Sequence, residues 1–230
     1  NILLSELGLT TWNPKHQISF IKKYSDVQTA DRIDAEYFQP MYEEILEAVK
    51  KYKHGFDYTK ILFKQNKVGF KINPEESYQY AEIGSISTSV GDIETLYLLG
   101  KDLPANAKIK LNKGDLIISK VRTYRGAIAI VQNNNLVGSG AFTVLQESKK
   151  INKETAYAYF KSAPILRLSL KYNAGTSYPV IDDGDILNLP FPLIPAKTQQ
   201  EISKKINESF VNREKSKSLL NIAKRGVELA

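Results

Sequence analysis

The sequence predicts an α+β fold: a globular domain with a curved, mixed or antiparallel β unit and flanking helices, followed by a long C-terminal helix that pairs in a coiled coil. Three features predict it. Apolar residues recur at helical spacing up to about residue 54 and again over 153–172. Between Tyr58 and Glu147 they form short runs separated by turn residues. After Pro195, every residue to 230 is compatible with one helix.

The elements follow in chain order. Ile2-Leu3-Leu4-Ser5-Glu6-Leu7-Gly8 reads as the last turns of an apolar helix stopped by a glycine just past its end. So short a helix cannot stand alone, and its beginning is expected upstream. Thr10 to Pro14 reads as a linker with Trp12 as a packing plug. Residues 31–54 read as helical, with a break at Pro40 and Tyr42, Ile45, Leu46 and Val49 on one face; Gly55 closes the stretch. Lys113-Gly114-Asp115 is a turn before the strand Leu116 to Val121, whose unbroken apolar run suggests burial on both faces. Ala127 to Val131 continues as its partner. Asn133-Asn134-Asn135 turns the chain into Leu136 to Leu145, a strand interrupted by Gly138 and Gly140. Leu187 to Pro195 is a proline-punctuated extended segment. In the last helix Thr198 is expected to cap the start, with Glu201 as its capping-box partner. Ile202, Ile206 and Phe210, then Leu220, Ala223 and Val227, form an apolar seam on a helix of ~50 Å that needs a partner helix. The candidate is the upstream helix ending at Leu7; the seam is expected to continue past Ala230. The expected division is 1–9 as the end of one helix, 10–195 as a globular domain and 196–230 as a long pairing helix.

Composition narrows the chemistry. With 42% hydrophobic residues, the 230-residue chain can bury a full core. No apolar run approaches the ~18 residues of a membrane helix, and no secretory leader is recognisable, so the expected setting is cytoplasmic with no membrane partner. The absence of cysteine excludes disulfides, zinc ribbons and thiol nucleophiles. Net charge is −2 over residues 1–59, +5 over 60–196 and +4 over 197–230, which points downstream to a polyanionic partner.

Catalytic constellations are missing. There is no Walker loop and no dinucleotide fingerprint, since Gly138-Ser139-Gly140 lacks a third glycine. The Asn/Asp-Pro-Pro-aromatic signature of base methyltransferases is absent. His16 and His54 stand apart and are expected at the surface. Asp115 with Glu147-Ser148-Lys149 loosely echoes a nuclease metal site, but a strand end is the simpler reading of so short a pattern. Asp182-Asp183-Gly184-Asp185 lacks calcium-loop spacing and reads as a carboxylate-capped turn. No metal, cofactor or catalytic residue is expected. The positive signals are polar loops interrupting apolar strands. Ser119 to Arg125 sets Lys120, Arg122 and Arg125 beside Tyr124 at one strand exit, cations suited to guanine edges or phosphates. Lys67 and Lys71 flank a second basic-aromatic loop. Ala174 to Tyr178, with Thr176, Ser177 and Tyr178, is a third, and Ser139 sits between the two glycines. These ten side chains are the candidate DNA contacts.

An ordered set of motifs then carries a resemblance. Tyr80-Ala81-Glu82-Ile83-Gly84, Gly114 to Arg122, Ala174 to Ile181, and Leu189 to Pro195 followed by Gln199-Gln200-Glu201-Ile202 occur in that order. With Arg32 to Phe38 and Ala223 to Glu228, they resemble the specificity subunit of type I restriction–modification systems over nearly the whole chain. The resemblance implies recognition domains that each read half of a split duplex DNA site. It also implies long helices that pair as a spacer, and methylation and cleavage carried out by separate methyltransferase and restriction subunits. One recognition domain with parts of two helices implies a half-length subunit that pairs with itself or a second half, or a fragment. Two alternatives stand beside it: the C-terminal recognition domain of a single-chain restriction–methylation enzyme, and a protein-interaction scaffold whose basic helix binds an acidic partner.

Overall fold

The computed structural model describes residues 2–173 and 178–228. Helix α1 (Ile2–Glu6) ends as predicted: Gly8 takes a left-handed φ of 67° and donates to the Ser5 carbonyl at 3.2 Å. Trp12 packs partly buried against the main core. Helix α2 (Tyr24–Ala30) was not anticipated, because it buries no residue and so carries no apolar stripe to detect. Helix α3 (Pro40–Lys50) corrects the reading of Pro40 as a break. The proline opens the helix after Gln39, a position whose N–H would have no helical partner anyway. From there Met41, Tyr42, Ile45 and Val49 face the core.

Strand β1 (Phe56–Tyr58) leads into helix α4 (Thr59–Leu62), and the strand-rich region follows. It contains β2 (Ser77–Ala81), β3 (Leu96–Leu99), β4 (Ala107–Leu111), β5 (Leu116–Ser119), β6 (Ile128–Ile130), β7 (Leu136–Ser139) and β8 (Phe142–Leu145). The stretch from 153 to 172 is helical as expected but broken in two, α5 (Lys153–Phe160) and α6 (Ala163–Leu168), with Pro164 in the first turn of the second. Helix α7 (Asp183–Leu187) starts at Asp182, whose N–H meets the Asp185 carboxylate at 3.4 Å, so the aspartate cluster is a helix start. Strand β9 (Pro190–Pro192) and helix α8 (Ala196–Glu228) complete the chain.

Among the described residues, three open sheets result. β6-β5-β8 is antiparallel throughout, β3-β2-β7-β4 contains a parallel β2–β7 pair, and β1 pairs antiparallel with β9. The run Leu116–Ser119 is buried at every position, and the strand period explains how. Leu116 and Ile118 join Ile128, Ile130 and the helices in one core, while Ile117 joins Ala129 and Val144 in a second. That second core also takes Ala81, Leu111 and Leu136 from the four-stranded sheet. The single apolar stretch 136–145 supplies strands to both sheets, changing over at Gly140.

The first turns of α8 pack on the domain itself. Ile202 is buried in the main core with Leu3 and Leu7 of the α1 segment, and Ile206 and Phe210 lie partly buried against it. Beyond them Leu220 and Val227 are exposed, as is Ala223. The helix begins at Ala196, so Thr198 lies inside it and does not cap it; its hydroxyl sits 3.4 Å from a Glu6 carboxylate oxygen. Among the described residues no helix is long and apolar enough to cross a membrane.

Candidate nucleic-acid interface

The exit of β5 is held in place by its backbone. The Lys120 N–H donates to the Ala141 carbonyl at 2.9 Å, and the Arg122 N–H donates to Pro179 at 2.9 Å. Val121 bridges to Val180, and the Ile181 N–H returns to the Lys120 carbonyl at 3.0 Å. Thr123 donates its hydroxyl to the Ser119 carbonyl at 2.6 Å. Within this frame Arg122 adopts a left-handed φ of 48°, a conformation unusual for a residue with a Cβ and costing of order ~1 kcal/mol. Its guanidinium carbon lies 4.7 Å from the centre of the Tyr178 ring, which is itself 65% exposed. A flat cation stacked on a flat ring leaves its N–H edge free to donate in a plane.

Arg122, Arg125, Ser139 and Tyr178 border one cleft of about 510 Å³. The arrangement is able to present two guanidinium groups and a stacked tyrosine to an anionic ligand. Ser139 is a correction. It is only 1% exposed, and its hydroxyl serves the fold, accepting from Asn106 at 3.3 Å and the Ala141 N–H at 3.2 Å. It shapes the cleft floor. Lys120 lies 3.6 Å from the Asp183 carboxylate, and Lys67 is a further cation near the same group. Burial acts to raise the Asp183 carboxyl, but the Thr143 hydroxyl, Gln65 and these two lysines hold it below the usual carboxylate range. Tyr124 is half-buried in the 3-10 turn Thr123–Arg125. Lys71 belongs elsewhere, on a groove with Phe70, Tyr78 and Tyr97 beside the four-stranded sheet. Thr176 and Ser177 lie outside the described residues. His16 and His54 are exposed as expected.

Three polar side chains of the cleft escaped sequence reasoning: Glu82, Thr88 and Asn106. Glu82 is an exposed acceptor in the Tyr80 to Gly84 motif, so the motif itself was the available signal. Lys161 was missed too. Its ammonium reaches from the end of α5 to the Gly126 carbonyl at 2.7 Å and the Thr88 carbonyl at 2.9 Å, tying two loops of the cleft together. Gly126, at φ 79°, has its α-carbon so close to the Thr88 carbonyl that a Cβ would lie 3.3 Å from it.

Burial, and then the Arg213 charge, push Lys161 down from 10.5 to about 8, and burial does the same to Lys171. Between pH 8 and 10.5 the unfolded chain therefore binds more protons at these lysines than the folded one, so stability rises with pH there. Buried Tyr52 and Tyr157, raised from 10.0 to about 12, reverse the sign above pH 10. The urea midpoint should climb from pH 8 towards 10 and fall beyond it, and Lys161→Met should flatten part of the climb. A midpoint that falls steadily from pH 8 would contradict this.

Together these elements define a class: an α+β domain with an arginine-bordered cleft and a long C-terminal helical arm. The chain belongs to the family described as Type I restriction modification DNA specificity domain, whose sequence model matches residues 50–217. Among solved structures it is similar to a chain of "Structural basis underlying complex assembly and conformational transition of the type I R-M system". The identity is 24% and the TM-score 0.60, covering 76% of this chain and 46% of that one. It is also similar to the HsdS subunit from Thermoanaerobacter tengcongensis, at 19% identity and a TM-score of 0.54, covering 73% of this chain and 44% of that one. These likenesses concern the fold, and the chain spans less than half the length of either. No curated protein matches it in sequence.

Proposed function

We propose that the chain reads one half of a split duplex DNA site for a restriction–modification complex, leaving methylation and cleavage to separate subunits. The observation that carries this reading is the Arg122–Tyr178 stack on an arginine-bordered cleft, in a chain of the specificity-domain family. Arginine donates two parallel hydrogen bonds to the O6 and N7 of guanine, and the neighbouring hydroxyls and lysines suit phosphates. Methyltransferase subunits, and through them the restriction subunit, are the partners, and the setting is cytoplasmic. The far half of α8 supports a pairing role: Leu219, Leu220, Ile222 and Val227 are each more than half exposed on a helix whose near half is packed. That face suits a second copy or a second half-subunit, with α8 as the spacer between two reading domains.

Binding to short duplexes over a range of salt tests the reading. Affinity should fall log-linearly with salt, by a slope of about −0.9 per phosphate engaged, and a sequence preference should survive excess competitor DNA. With magnesium present no strand should be cut. Cutting that Glu147→Ala abolishes would instead make the chain a nuclease, and salt-insensitive binding without preference would favour a scaffold.

A further inference from the structure

One loop joins the long helix to the cleft. Ile86 and Thr88 border the cleft, and four residues beyond Thr88 the chain meets α8. There Asp92 accepts from Arg213 Nη1 at 2.7 Å through one oxygen and from Lys217 Nζ at 2.8 Å through the other. The same Arg213 nitrogen donates to the Val90 carbonyl at 2.7 Å. Two cations one turn apart on α8 thus hold both oxygens of one carboxylate and a main-chain carbonyl beside it.

The loop is stiff enough to transmit that hold. Ile86 bridges to Ile93, the Ser87 N–H donates to the Asp92 carbonyl at 2.9 Å, and the Gly91 N–H donates to the Ser87 carbonyl at 2.8 Å. Gly91 has φ 71° and presses on β6 so closely that a Cβ would lie 2.6 Å from the Ile128 carbonyl. On the domain side, Tyr157 donates to the Val90 carbonyl at 2.9 Å, and Lys161 holds Thr88. Arg213 itself is only 21% exposed, stands 4.9 Å over the Phe210 ring and does not border the cleft. A basic residue so enclosed is poorly placed to touch phosphate.

We propose that Arg213 and Lys217 are positioning residues that act on DNA through Asp92, holding residues 86–94, and so one wall of the cleft, at a fixed setting on the helix. The proposal rests on the DNA-reading function above. Its consequence is that the clamp, which touches no DNA itself, governs discrimination between sequences by setting the cleft wall beside the reading residues, and leaves general affinity to the cations that meet phosphate. Charge alone predicts the opposite sign: removing the Asp92 anion should strengthen binding to any duplex.

The test compares a preferred and a scrambled duplex, using the intact subunit and the variants Asp92→Asn, Asp92→Glu, Arg213→Met and Lys217→Met, with melting recorded for each. Asp92→Asn should reduce the preferred-to-scrambled affinity ratio about tenfold, or ~1.4 kcal/mol, without weakening binding to the scrambled duplex. Asp92→Glu should restore the ratio. Arg213→Met should lower it with an unchanged salt slope, and Lys217→Met, which removes one of two partners at a more exposed site, should lower it less. Three outcomes overturn the proposal: an unchanged ratio in folded variants, equal strengthening on both duplexes in Asp92→Asn, or an Arg213→Met salt slope shallower by about one phosphate with the ratio intact. A ratio already near one in the unaltered protein would overturn the DNA reading itself, a failure visible before any variant is compared.

Discussion

Arg122→Ala should weaken binding to the preferred duplex by roughly 5- to 150-fold, about 1–3 kcal/mol, and relax the preference at one base pair. The guanidinium carbon lies 4.7 Å from the centre of the Tyr178 ring at the cleft border, and the hydrogen bonds that anchor its loop run through backbone atoms that the substitution leaves in place. A second variant separates binding from folding. At φ 48° glycine is more comfortable than any residue with a Cβ, so Arg122→Gly should lose as much affinity yet melt no lower than Arg122→Ala. Equal losses on all sequences would make Arg122 a phosphate contact. Unchanged affinity would remove it from the interface.

Phe191→Ala should destabilise the fold by about 3–5 kcal/mol in urea denaturation. Phe191 is fully buried on β9 between two prolines, with ring centres of Phe63, Tyr159 and Phe160 at 5.6, 4.4 and 6.0 Å. Three rings cannot collapse into the space of a fourth, so most of the cavity remains. β9 is also the strand that ties residues 56–58 to the segment entering α8, and the Tyr159 hydroxyl donates to the carbonyl beside it. The loss should therefore lower DNA affinity only as far as it lowers the folded fraction. A cost below 1 kcal/mol would contradict this packing.

What the sequence disclosed follows the range of the interactions. The β5–β6 pair was legible because its strands are neighbours in the chain and their apolar runs are bounded by turn residues. The glycine stop of α1 and the stripe Ile202, Ile206 and Phe210 were legible for the same reason: local spacing carries them. The parallel pairing of β2 with β7 was not, since it joins Tyr80 to Val137 with four other strands, β3 to β6, between them in the chain. Nor was the division of 136–145 between two sheets, which only tertiary packing decides. In the site, Arg122 and Arg125 shared one conspicuous loop, but their partner Tyr178 lies some fifty residues on. Ser139 misled because a hydroxyl between glycines looks like a loop donor, whereas the strand it ends is buried. Lys161 and the Asp92–Arg213–Lys217 cluster looked like ordinary surface charges. Nothing in the sequence marks the loops that converge on them.

Selection of duplexes from a random pool by the intact subunit tests the central claim most directly. The chain should enrich a short defined sequence from the pool, and Arg122→Ala should enrich the same sequence with one position degenerate. Retention of DNA with no sequence enriched after repeated rounds would contradict the account.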